Sequence, residues 1–111
     1  NFSNKKMREE GGKEYIEEVC LVLKDSHDTC IDSYGSGNER RLTGEHETAK
    51  YDEFTWSESD RGVSVRIPLT TVKNEYRGHI EDRRPSANID PYKAIHSFIE
   101  SVEVLSLEKV A

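Results

Sequence analysis

Residues 78–92 read GHIEDRRPSANIDPY, and four consecutive positions there carry two carboxylates and two guanidiniums. On an extended chain, residues two apart share a face, so Glu81 and Arg83 look one way and Asp82 and Arg84 the other. A carboxylate holding a divalent cation, with a guanidinium two residues on, could contact adjacent parts of one metal–phosphate group. The same four residues could equally form a structural ion-pair cluster. Residue types alone leave both readings open.

Other arginines stand apart from this stretch. Arg40 and Arg41 lead into a polar loop, and Arg61 and Arg66 flank the segment VSVRIP. Each alone is an ordinary surface residue. Converging on one site, they would suit phosphoryl transfer, where a protein mostly positions groups and neutralises charge on the moving phosphate. The segment TGEHETAK, residues 43–50, contains His46-Glu47, but the zinc-protease pattern needs a second histidine where Lys50 stands. Glu47 is left as a base or cation-gripping carboxylate on a closing lid, against the plainer reading of a solvated loop residue. Cys20 and Cys30, ten apart, match no zinc spacing and are too few for a disulfide framework, so they read as reduced thiols.

The net charge is −6, yet residues 40–84 are neutral, with nine basic and nine acidic groups and seven of the eight arginines. A nucleic-acid surface needs a basic excess over many phosphates, so that class is excluded. Single guanidiniums in acidic company suit small anions better. No apolar run approaches the ~20 residues of a membrane span, and the first ten residues are too polar for a signal peptide. Leu, Ile, Val and Phe total 24 of 111 residues. That is just above the ~20% below which chains tend not to fold. So little apolar material in a short chain predicts a piece that packs against something else.

The elements that must hold these residues follow from periodicity. Ser3 can cap a short helix that Gly11-Gly12 interrupts. Tyr15, Ile16, Val19, Val22 and Leu23 predict a helix over 13–24, continuing through His27, Cys30 and Ile31 to Tyr34. Residues 34–39 read as a turn, and 40–62 as a long polar loop with Phe54 and Trp56. Alternation predicts strands at 63–68 and 79–83. Asp90 as N-cap and Pro91 at the first position open a last helix, with Ile95, Phe98, Ile99 and Val102 as its apolar stripe.

Four stretches, NFSNKKMREEGG, NERRLTGEHETA, DRGVSVRIP and EDRRPSANIDPY, stand in an order and spacing that closely resemble the C-terminal part of type-two glutamine synthetase. The resemblance runs from Asn1 to about Tyr92, and residues 93–111 fit as a diverged terminal helix and tail. It implies an α+β fold: one partial catalytic domain over 1–111, with antiparallel strands forming part of a barrel-like active site flanked by helices. It also implies ATP-dependent ligation of glutamate and ammonia through γ-glutamyl phosphate, in a cytoplasmic, ring-shaped homo-oligomer. Mg²⁺ or Mn²⁺ would be the metal. Carried over by position, Arg41 and Arg61 would bind substrate, and Glu47 on a flap would accept a proton. Arg66 would stabilise phosphate, Arg83 would contact the γ-phosphate, and Glu81 would be a metal ligand. The family's remaining metal ligands lie upstream of the segment matching Asn1, so this chain alone is expected to be inactive. Ser57, Glu58 and His79 depart from the family pattern, which keeps a diverged non-catalytic scaffold as the alternative.

Overall fold

The computed structural model describes residues 1–35, 37–45, 48–85 and 89–110. Asn4 opens the first helix, α1 (Lys5–Glu9), because its side-chain oxygen accepts from the Met7 N–H at 2.8 Å. Ser3, expected to cap, instead donates its hydroxyl to the Gly78 carbonyl at 2.7 Å. Gly11 ends this turn with φ +62°, and a Cβ there would lie 2.5 Å from the Tyr76 carbonyl oxygen. The expected interruption is therefore fixed by backbone conformation and by close approach together.

The helix α2 (Lys13–Asp25) buries Ile16, Val19, Cys20 and Leu23. A continuous helix to Tyr34 does not form. Ser26 leaves helical geometry, its hydroxyl bonding back to the Val22 carbonyl at 3.0 Å, and α3 (His27–Ser33) restarts beyond it. Both cysteines are free and buried, and burial, then the charge of Glu17, pushes the Cys20 thiol up to about 12.

The stretch expected as loop holds more structure than its composition suggested. A short helix α4 (Asn38–Arg41) precedes an antiparallel bridge between Thr43 and Lys50, and the Tyr51 N–H donates to the Leu42 carbonyl at 3.0 Å. Then comes β1 (Trp56–Glu58), which pairs parallel with β2 (Val65–Ile67). After Pro68 a short helix α5 (Leu69–Lys73) leads to β3 (Glu81–Asp82), antiparallel to β2. The sheet runs β1-β2-β3, so it is mixed where antiparallel strands were expected. Phe2 adds an isolated antiparallel bridge at Ile80.

Asp90 caps α6 (Pro91–Val110) as expected, accepting from the Tyr92 N–H at 2.9 Å and the Lys93 N–H at 3.4 Å. The expected stripe is half right. Phe98 and Val102 are buried with Ala94, Ser101 and Leu105, while Ile95 and Ile99 remain 58% and 43% exposed. Hydroxyls explain the rotation: those of Ser26 and Ser101 lie 2.7 Å apart, and Ser97 donates to Ser33 at 2.6 Å, across the contact with α3 and the break before it. The core joins α2, α3 and α6 to Val65, Ile67 and Ile80 of the sheet region. No helix among the described residues is long and apolar enough to cross a membrane.

Candidate anion-binding site

Val65 and Ile67 turn into the core, which leaves Arg66 on the opposite face of β2. The register sets Arg66 directly across from Glu81, and the two form a hydrogen-bonded ion pair, Nε to Oε2, with both side chains about a quarter exposed. The ladder continues one residue past β3, where the Arg83 N–H donates to the Ser64 carbonyl at 2.8 Å. Burial alone would raise the Glu81 pKa. The Arg66 hydrogen bond and the charges of Arg66, Arg83 and His79 outweigh it and hold the carboxyl below its ordinary value. Arg83 therefore acts electrostatically on Glu81.

Arg83 lines a small cavity of about 50 Å³ together with, among others, Arg41, Thr48, Lys50, Ser64 and Arg84. Among the described residues no carboxylate lines it. Several cationic groups around so small a space suit one compact anion, while the Thr48 and Ser64 hydroxyls already donate to the Glu45 and Glu53 carbonyls. A site that encloses a drug-sized ligand needs roughly 300–1,000 Å³. The cavity could therefore take a phosphoryl group but not a whole nucleotide. Burial lowers the Arg41 pKa, and its Nη2 donates to the Asn38 side chain at 3.2 Å and to the Arg84 carbonyl.

The other side of β3 is a buried polar network. Arg84, 1% exposed, grips both oxygens of Asp82 at 2.8 Å through Nε and Nη2. The Tyr34 hydroxyl donates to Asp82 Oδ2 at 2.8 Å, and the guanidinium lies 5.1 Å from the ring centres of both Tyr34 and Phe54. Burial alone would lower the Arg84 pKa, but the Asp82 hydrogen bond and charge raise it above its ordinary value. Burial, then Asp82, pushes the Tyr34 phenol upward. Asp82 and Arg84 thus form the structural cluster that the sequence left as one of two readings. Glu81 pairs with Arg66 instead, and Arg83 lines the cavity that Arg84 also borders.

The sequence-predicted residues divide accordingly. Arg41 and Arg83 meet at the cavity, whereas Arg66 and Glu81 pair with each other and do not line it. Arg61 is exposed in the bend before β2 and does not line the cavity. Glu47 lies outside the described residues. Sequence reasoning missed Ser64, which lies in the bend immediately before β2. It also missed Thr48, Lys50 and the buried His27. A metal centre does not assemble from what is described: no group of three or more His, Cys, Asp or Glu converges. Glu81, already paired, is at most one donor of the several that a divalent ion requires.

No family model matches the chain. Among curated proteins, the chloroplastic glutamine synthetase of Daucus carota is 54% identical over 92 residues, 83% of this chain and 21% of that protein. A cytosolic glutamine synthetase isozyme of Arabidopsis thaliana is 50% identical over 105 residues, 95% of this chain and 29% of its own length. The glutamine synthetase of Bradyrhizobium diazoefficiens is 40% identical over 111 residues, all of this chain and 32% of that enzyme. The chain spans about a fifth to a third of the curated relatives it matches. On this similarity, the chain belongs to the glutamine synthetase family, as a partial region of it.

Proposed function

We propose that this segment supplies the phosphate-gripping wall of a glutamine synthetase active site. The observation that carries the reading is the small cavity where Arg41, Lys50 and Arg83 converge without a described carboxylate. In the reaction, an oxygen of the glutamate side-chain carboxylate attacks the γ-phosphorus of ATP and ADP leaves. Ammonia then attacks the acyl carbon, the C–O bond to phosphate breaks, and glutamine and inorganic phosphate are released. Arg83 and Arg66 spread and neutralise charge on the transferring group. Arg41 and Arg61 hold substrate glutamate, and Glu47 takes a proton from the attacking nitrogen. Divalent ions neutralise nucleotide charge in such chemistry, and Glu81 would give one donor to a site whose other ligands lie outside this segment.

The three-stranded sheet is read as one part of a larger barrel-like wall, in a protein assembled as a homo-oligomeric ring. Alone, the 111 residues should not turn over. The relatives include cytosolic and chloroplastic isozymes, so an aqueous compartment is what the reading requires, and we infer the cytoplasm.

A second reading, a scaffold that has lost activity, is favoured by the altered positions. Glu58 is occupied by the Tyr76 hydroxyl at 2.6 Å, and Ser57 Oγ is buried without a hydrogen-bond partner among the described residues. One assay separates the two. A full-length protein carrying this segment should form γ-glutamyl hydroxamate from glutamate, ATP and hydroxylamine. Glu81→Ala and Arg83→Ala should each lower turnover at least about tenfold, ~1.4 kcal/mol in the barrier. Unaltered rates in both variants defeat the site assignment, and an unmodified protein that forms no hydroxamate favours the scaffold.

A further inference from the structure

The loop between Leu42 and Tyr51 is pinched at its neck by the Thr43–Lys50 bridge and the Tyr51 N–H to Leu42 carbonyl bond. Both feet of this neck lead to Arg84. On the entering side, Arg41 Nη2 donates to the Arg84 carbonyl. On the leaving side, the Tyr51 carbonyl lies 2.7 Å from His27 Nε2, and His27 Nδ1 lies 2.9 Å from Arg84 Nη1. A guanidinium only donates, so Nδ1 must accept, and the ring proton sits on Nε2, aimed at the Tyr51 carbonyl. Asp82 fixes the guanidinium in turn, and Phe54 meets the imidazole edge to face at 5.6 Å.

We propose that His27 is a positioning residue: it relays the fixed orientation of Arg84 to Tyr51 and thereby sets the loop neck, with Arg41 and Lys50, over the cavity beside Arg83. The proposal rests on reading that cavity as a phosphate site. His27 is 6% exposed, and a residue that merely filled space there would tolerate any side chain of similar volume. A relay would not.

Two substitutions divide its bonds. His27→Gln can place an amide N–H where Nε2 donates, keeping the bond to Tyr51. His27→Asn can place an oxygen where Nδ1 accepts, keeping only the bond to Arg84. In a full-length protein carrying this segment, inorganic phosphate binding is measured by calorimetric titration beside the thermal midpoint. Both variants should lose thermal stability. His27→Asn should weaken phosphate about fivefold, the scale of one lost hydrogen bond, while His27→Gln stays within about twofold of the unaltered protein. Equal phosphate affinity in the two variants, or a His27→Gln that does not fold, overturns the proposal. An unaltered protein that binds no phosphate defeats the reading of the cavity instead.

Discussion

At the scale of single residues, Glu81 sits under opposed influences: partial burial disfavours its charge, and the Arg66 hydrogen bond with the Arg66, Arg83 and His79 charges favours it more. Its folded pKa is therefore the lower one. A depressed carboxyl stabilises the fold fully above its unfolded value and loses that contribution as pH falls through the folded value. The urea midpoint of the chain should thus drop as pH falls below roughly 4.3. Glu81→Gln should flatten that acid limb, and an equally steep limb in the variant would contradict the assignment. Arg41 and Arg83, both singled out in the sequence, line the cavity. His27 was not singled out. Its partner Arg84 is 57 positions away, and nothing local marks a histidine at a helix start as buried. Arg61 looks the same in sequence as Arg66 and differs only in lying outside the strand.

Among the elements, α6 shows what periodicity can and cannot decide. Asp90 and Pro91 fixed where the helix begins, because capping depends on neighbours a few residues away. Which face turns inward depended on Ser97 and Ser101 meeting the hydroxyls of Ser33 on α3 and of Ser26 in the break before it. Phe98→Ala should therefore cost about 3–5 kcal/mol, as core aromatics do. Ile95→Ala, at a mostly exposed position, should cost less than about 1 kcal/mol. Chemical denaturation checks both, and equal losses would restore the stripe read from sequence. The strand β1 escaped notice for a related reason: its neighbour in the sheet lies parallel and later in the chain, and Trp56-Ser57-Glu58 carries no apolar alternation. The break at Ser26 was equally hidden, since a serine whose hydroxyl bonds back looks in sequence like any other polar helix residue.

At the scale of the whole molecule, the modest apolar content has a visible counterpart. Phe2, Ile89, Ile95, Phe98 and Ile99 line an open, largely apolar groove, as expected of a segment that spans a minor share of its relatives' length. Class and family were legible because four motifs keep their order. The sheet's mixed direction was not, since direction is settled by which strands meet.

Of the three strands described, β2 has neighbours on both flanks and β1 on one. In heavy water, amide protons of Val65 to Ile67 should persist longest, and those of Trp56 to Glu58 should include a rapidly deuterated set. Matching persistence in the two strands would mean that a further strand, from the same protein or another copy, has closed the bare side of β1.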